Sequence, residues 1–328
     1  MARSFSGIQP TGNIHLGNYL GALRFWIREQ NRYDCFFSIV DLHAITSPQD
    51  PAEFRAKTLD TAAILLAIGI DPLVSTLFVQ SHVQEHANLA WVLSSLTTLG
   101  ELRRMTQFKN KASREHGVQT SGGLFVYPVL QAADLLLYQA DRVLVGEDQR
   151  QHLELSRTLA GRFNHRFGPT FGLPEAVIPK VGARIMDLQD PRKKMSKSSD
   201  SQLGALRLVD TPEILRDKIR SAVTDSGREI IASADKPAIT NLLTIYSTLT
   251  GEDLAVAEDA FAGSSYEQFK ATLADVLIED LRPIRERYIQ WMSSPDEIVR
   301  SLQAGANQAT TIASATLGVV YEHMGFLR

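Results

Sequence analysis

One cysteine, Cys35, stands among the 328 residues, which excludes an intramolecular disulfide framework and any iron–sulfur or zinc site that needs several thiolates. Cys35 itself reads as a small hydrophobe in the apolar run 35–40. No stretch of eighteen uncharged apolar residues occurs, so no membrane-spanning helix is expected. The opening Met1-Ala-Arg-Ser-Phe-Ser-Gly also lacks the apolar core of a signal peptide, and a cytoplasmic address is the expectation. An excess of one charge is missing too: 34 basic against 37 acidic residues leave a formal −3. A polyanionic partner would therefore meet a local patch rather than a basic molecule. What is present is the composition of an ordinary globular protein, 44% hydrophobic and 22% charged, sufficient for a large core in one large or two medium domains.

Two local basic patches can be read. Residues 102–114 carry Arg103, Arg104, Lys109, Lys111 and Arg114 without one carboxylate, and Arg192, Lys193, Lys194 and Lys197 form a second cluster. Standing alone, either would be a solvated face. The first half of the chain alternates short apolar runs with longer helical patterns. Residues 4–8, 36–40, 76–80 and 142–145 predict strands, with helices at 16–29, 52–68 and 85–99 between them. Pro51 suits a helix start, and Gly69 and Gly100 suit helix ends. This alternation implies an α/β fold with a doubly wound parallel sheet, whose ligands gather at the carboxyl ends of the strands. Beyond about Pro191 the strand pattern fades, and amphipathic segments at 212–223, 239–248, 266–292 and 296–326 predict a smaller all-α domain. The polar run 193–202 marks the boundary, and 224–237, with Gly227 and Pro237, predicts a loop.

The first strand is followed by Gly7-Ile8-Gln9-Pro10-Thr11-Gly12-Asn13-Ile14-His15-Leu16-Gly17-Asn18, which runs into a helix. Glycine lets backbone approach a ligand, and a helix N-terminus offers N–H groups to phosphate, so this is a candidate nucleotide site. The bland alternative is a tight turn, since neither the dinucleotide fingerprint nor the P-loop ending is present. Lys194-Met195-Ser196-Lys197-Ser198 places two ammonium groups on a short polar loop, where they could follow charge onto departing phosphates or merely solvate a hinge.

The segment 127–138 is apolar nearly all round, with Pro128 placed for a first helical turn. Tyr127, Gln131, Asp134 and Tyr138 interrupt it at i, i+4, i+7 and i+11, one stripe of a helix that must be buried. A buried carboxylate needs a donor, so Asp134 is expected to bond either within the protein or to a ligand.

His15-Leu16-Gly17-Asn18 resembles the HIGH motif and residues 194–198 spell KMSKS, the paired signatures of class I aminoacyl-tRNA synthetases. Further segments resemble the tryptophanyl-tRNA synthetase family: Gly-Ile-Gln-Pro-Thr-Gly, Val40-Asp-Leu-His-Ala-Ile-Thr, Met105-Thr-Gln-Phe-Lys, Gly146-Glu-Asp-Gln, Gly182-Ala-Arg-Ile-Met and Ala222-Val-Thr-Asp-Ser. The similarity spans nearly the whole chain. It implies a Rossmann-like ATP and amino-acid domain of the HIGH superfamily at 1–190. A helical anticodon-binding domain at 191–295 would follow, then a C-terminal helix at 296–328 packing back on the first domain.

The resemblance also implies roles. Asp134 would accept the indole N–H of L-tryptophan, the ring's one polar group. An analogue lacking that N–H would strand the carboxylate, which gives rejection ratios of order ~10⁴ without an editing domain. Phe5, Gly7, Val40, His43 and Val145 would wall the indole and the nearby ribose, with ordinary core packing as the alternative. Tyr127, Gln149 and Gln9 resemble the family's contacts to the amino and carboxylate ends. Gln131 stands where many relatives carry Met, and Leu42 replaces a common Gln, which leaves ring packing open. ATP would lie along Gln9, Pro10, Thr11, His15, Gly17 and Asn18. Gly146, Glu147 and Asp148 would meet its ribose, the Ile185 backbone its adenine, and Lys194, Met195, Ser196, Lys197 and Ser198 its phosphates.

Lys194 and Lys197, with Lys111 and His15, are the catalytic candidates, acting by position and charge with Mg²⁺ on the phosphates. Lys111 has a solvated loop as its alternative. The implied partners are ATP, L-tryptophan, tRNA(Trp) and a second copy in a homodimer, with no membrane. No protein-bound metal is expected: His82 and His86, one helical turn apart, read as surface or capping residues, while His152 carries no pattern. Three rivals remain: a tyrosyl-tRNA synthetase, opposed by Gly146-Glu-Asp-Gln; a pantothenate-activating nucleotidyltransferase; and a catalytically silent RNA-binding paralogue.

Overall fold

A computed structural model of the chain describes residues 1–10, 14–106, 121–146, 149–177, 184–196 and 201–327. Five parallel strands form one sheet: β1 (Arg3–Ile8), β2 (Asp34–Ile39), β3 (Thr76–Val79), β4 (Arg142–Leu144) and β5 (Glu175–Val177), in the order β3-β2-β1-β4-β5. The four predicted strands are present within two residues at each end, and the α/β class follows from them. β2 and β3 are almost wholly buried, which is why they read as unbroken apolar runs rather than alternations. β5 escaped the sequence reading because its three residues are exposed or half-buried and carry no apolar pattern.

Helices α1 (Leu16–Asn18) and α2 (Arg24–Glu29) flank a π-helical turn, Tyr19–Leu23. The single helix expected at 16–29 is therefore widened by one turn, a departure common beside functional sites. The first half continues with α3 (Asp41–Ala44), α4 (Pro51–Ile68), α5 (Glu85–Leu96), α6 (Leu99–Arg103), α7 (Gly122–Leu137) and α8 (Arg150–Phe167). α4 ends as expected: Asp50 caps it by accepting from Glu53 N–H, Pro51 opens it, and Gly69 closes it at φ 107°. The expected stop at Gly100 is wrong. α5 ends at Leu96, and Thr98 then starts α6 through a reciprocal capping box with Glu101, so Gly100 lies inside a helix.

The second half holds α9 (Pro212–Ser221), α10 (Pro237–Thr250), α11 (Leu254–Ala260), α12 (Tyr266–Met292) and α13 (Pro295–Met324). The long amphipathic patterns gave four of these; α11 is too short and too acidic to show a stripe. Buried apolar residues gather on both faces of the sheet, one group joining α1, α2 and α4 to the helical half, the other joining α5, α7, α8 and α13. α13 lies against β3 so closely that a Cβ on Gly305 would sit 2.0 Å from the Leu77 carbonyl oxygen. Cys35 is a fully buried core residue. Among the described residues no helix is long and apolar enough to cross a membrane.

Candidate functional site

The sheet reverses its winding between β1 and β4, the switch point at which open α/β sheets bind ligands. β1 pairs with β2 as far as Ile8 but with β4 only through Ser4 and Phe5. The two strands then part, and a cavity of about 330 Å³ opens between their carboxyl ends. Phe5, Gly7 and Gln9 come from β1 and the turn after it, Val40 from just past the end of β2, and His43 from α3. Tyr127, Gln131 and Asp134 come from α7, and Val145, Gly146 and Gln149 from the turn after β4. Every residue that the sequence assigned to amino-acid binding borders this one cavity. Glycine at position 7 is a spatial requirement, because a Cβ there would lie 2.8 Å from Val40 Cγ1.

α7 turns Tyr127, Gln131 and Asp134 to the cavity, as their spacing demands, whereas Tyr138, the fourth residue of the expected stripe, caps the helix end and does not border it. It starts earlier than expected, at a Ser121 cap, so Pro128 sits inside the helix rather than in its first turn. Asp134 is 1% exposed and takes three donors. Its Oδ2 lies 2.7 Å from His43 Nε2, and its Oδ1 lies 2.6 Å from both Gln80 Nε2 and His86 Nδ1. Burial pushes the Asp134 carboxyl up, but the two imidazoles overcome this and hold it well below the usual carboxylate range. An ionised Asp134 can only accept, so both imidazole nitrogens that face it carry hydrogen. His86 Nε2 is 2.7 Å from the Tyr138 hydroxyl, whose pKa burial raises further. Tyr138, His86 and Asp134 thus form one hydrogen-bonded chain. Phe5 and Phe36 stack on the Tyr138 ring at 5.5 and 4.7 Å between centroids, which fixes the chain from behind.

His86 is a correction. It is fully buried, neither surface nor capping, because Gln80–His82 form a 3₁₀ turn ahead of α5 and the one-turn spacing from His82 spans two elements. Gln80 and His152 were also missed. His152 Nε2 lies 3.1 Å from the Tyr127 hydroxyl and its Nδ1 lies 2.8 Å from Gln149 Oε1, which also accepts from Gln131 Nε2 at 3.4 Å. One histidine from α8 thus joins the polar residues of two cavity walls. A lone histidine inside an amphipathic helix gives no sign of this.

A second group lies together beside the first helix. His15 caps α1: its Nδ1 accepts from Asn18 N–H at 3.3 Å, and Asn18 Oδ1 accepts from His15 N–H at 3.2 Å. A Cβ on Gly17 would stand 3.1 Å from the His15 ring and 3.7 Å from Ile185 Cβ, so this turn rests on the segment that leads to Lys194. Met195 N–H donates to the Ile185 carbonyl at 3.0 Å, which occupies one of the two backbone groups expected to meet adenine. Lys194 is exposed, Ser196 half-buried, and Met195 and Pro10 buried. Thr11, Lys109, Lys111, Glu147, Asp148, Lys197 and Ser198 lie outside the described residues. Among the described residues no group of three His, Cys, Asp or Glu side chains could hold a metal ion.

Residues 1–282 match the family described as tRNA synthetases class I (W and Y). Over 327 residues the chain is 53% identical to the tryptophan–tRNA ligase 2 of Streptomyces avermitilis, covering 99% of this chain and 97% of that relative. It is 51% identical to the tryptophan–tRNA ligase of Caldanaerobacter subterraneus, covering 100% and 99%. Two solved structures are also similar. The tryptophanyl-tRNA synthetase of Mycoplasma pneumoniae has a TM-score of 0.89 at 40% identity, covering 100% of this chain and 98% of its own. That of Campylobacter jejuni, solved with ADP and tryptophan, has a TM-score of 0.87 at 33% identity, covering 99% and 100%.

Proposed function

From the premise that the chain belongs to the class I tRNA synthetases of the W and Y family, we propose that the cavity between β1 and β4 binds L-tryptophan and that the turn at His15 and the Lys194 segment bind ATP. The activity is that of a tryptophan–tRNA ligase. A carboxylate oxygen of tryptophan attacks the α-phosphorus of ATP, the bond to the β-phosphate oxygen breaks, and tryptophanyl-adenylate and pyrophosphate form. A hydroxyl of the terminal ribose of the tRNA then attacks the activated carbonyl and releases AMP.

The observation that carries the amino-acid reading is Asp134. A carboxylate has about four acceptor positions, and His43, Gln80 and His86 fill three, leaving one for an indole N–H at the cavity wall. Tyr127, Gln149 and Gln9 would hold the polar end of the substrate, and the N-terminal turn of α1 would meet phosphate. Lys194, with Lys197 and Lys111, would stabilise charge as pyrophosphate departs. His15 would act by shaping that turn. Mg²⁺ would travel on the ATP phosphates, the usual way this ion is carried to nucleotide sites. The division at 1–190, 191–295 and 296–328, anticodon reading by the helical half, a cytoplasmic location and a homodimer are proposed on the same family membership. Trp91, 78% exposed on α5, offers an apolar contact to a second copy.

Amino-acid-dependent ATP–pyrophosphate exchange across all twenty amino acids tests the reading, with Asp134→Ala and Lys197→Ala beside the native protein. Exchange with tryptophan alone is expected, lost in the first variant through recognition and in the second through rate. Exchange with tyrosine, or with none, would overturn it.

A further inference from the structure

Helix α9 turns Leu215, Lys218 and Ile219 inward. Lysine on such a face is unusual, and Lys218 is only 5% exposed. Its Nζ lies 2.6 Å from Asp210 Oδ2 and 2.8 Å from the Ala205 carbonyl oxygen. The same Asp210 oxygen accepts from the Arg207 N–H at 2.9 Å. Both partners thus grip the segment 204–208. That segment is bonded on two sides. Leu16 N–H donates to the Leu206 carbonyl at 2.8 Å and Leu208 N–H donates to the Ile14 carbonyl at 3.1 Å, which ties it to the His15 turn. Leu188 N–H donates to the Gly204 carbonyl at 2.9 Å, and Asp187 N–H donates to the Lys193 carbonyl at 2.9 Å, which ties it to the turn ahead of Lys194.

We propose that Lys218 and Asp210 are positioning residues for ATP: through the segment 204–208 they set the separation and register of the His15 turn and the Lys194 loop, although neither touches a substrate. An apolar pair of similar volume commonly matches or exceeds the stability of a buried ion pair, so stability alone does not account for a charged pair here. Its bonds to Ala205 and Arg207 fix backbone, which an apolar pair cannot do. Nucleotidyl transfer depends on placing groups to within fractions of an ångström. A strut between two phosphate-facing loops is therefore felt in the ATP step, whereas the tryptophan cavity is walled mainly by β1, α3, α7 and the turn after β4 and includes neither partner of the pair nor the segment 204–208. The inference rests on the assignment of ATP to those loops.

The test is the double variant Lys218→Met/Asp210→Leu in the full chain, compared with the native protein and with Leu215→Ala, which loosens the same helix while leaving both charged side chains and their bonds in place. Thermal melting, tryptophan binding by equilibrium dialysis, and ATP–pyrophosphate exchange are measured. The double variant is expected to melt like the native protein and bind tryptophan with unchanged Kd, while the KM for ATP rises at least ~10-fold or kcat falls as much. Leu215→Ala is expected to lower Tm and leave both constants alone. Native ATP constants in the double variant, or an equal defect in Leu215→Ala, would overturn the assignment. Should the double variant not fold, Asp210→Asn carries the test: weakened bonds to Lys218 and Arg207 are expected to raise the ATP KM about threefold, and no change would overturn it. Failure of the native protein to catalyse exchange would instead remove the ATP reading, and this inference with it.

Discussion

Asp134 Oδ2 and His43 Nε2 stand 2.7 Å apart although the residues are 91 positions apart in sequence, and this contact joins the α7 wall of the cavity to α3. Asp134→Asn keeps the shape but removes the charge, and one amide oxygen cannot satisfy donors on both sides. Steady-state exchange is expected to show kcat/KM for tryptophan reduced by about 10²-fold or more. Urea unfolding should show a loss of about 3–5 kcal/mol, the cost of breaking a buried pair from one side. Native affinity in this variant would remove Asp134 from substrate recognition.

Glu101 gives a pH prediction with a definite sign. Its bond with Arg162, together with the Thr98 hydroxyl and backbone, holds its carboxyl at about 2, below an ordinary value of 4.5. A depressed carboxyl contributes stability in full above its unfolded value and loses it as pH falls through the folded one. The Tm difference between native protein and Glu101→Gln should therefore be present at pH 6 and shrink between about pH 4.5 and 2. A difference that grows on acidification would contradict the pairing.

Gly305→Ala should act on the fold rather than on the chemistry. The added methyl group would meet the Leu77 carbonyl at 2.0 Å, backbone that cannot rotate away, so α13 must lift from β3. Calorimetry is expected to show a loss of about 1–3 kcal/mol or more, with kcat per folded molecule unchanged.

Gly7→Ala should do the reverse. Its methyl group would press on Val40 Cγ1 and fill space at the cavity wall. The tryptophan KM is expected to rise about tenfold, the cost of a few misplaced contacts, with Tm within a few degrees of native. Gln131→Met, by contrast, removes only a 3.4 Å bond to Gln149 and should change kcat/KM less than about threefold.

The legible part of this molecule was what local periodicity controls. Residues 266–292 read as one amphipathic helix and form one, and three of the four residues of the expected stripe, Tyr127, Gln131 and Asp134, face a single cavity. The family motifs supplied the rest of the cavity's walls. What stayed hidden depends on contacts far apart in sequence. Gln80 and His86 serve Asp134 from about fifty residues away, and neither sits in a pattern that marks it. Lys218 looks like one more charge in a polar helix until the fold turns it inward beside Asp210. The π-helical turn at Tyr19–Leu23 has no local signature either, since its residues suit an α-helix equally well.

The contact between Gly305 and Leu77 also bears on how the chain reaches this state. β3 is an edge strand, and the helix that shields its exposed side is synthesised more than two hundred residues later. While the chain is still being made, an apolar edge with unpaired backbone groups stays open, the kind of surface that recruits strands from other molecules. Crowding of unfinished chains should therefore be most hazardous in the interval before Pro295–Met324 emerges, and premature termination in the helical half should yield aggregates rather than a smaller soluble enzyme.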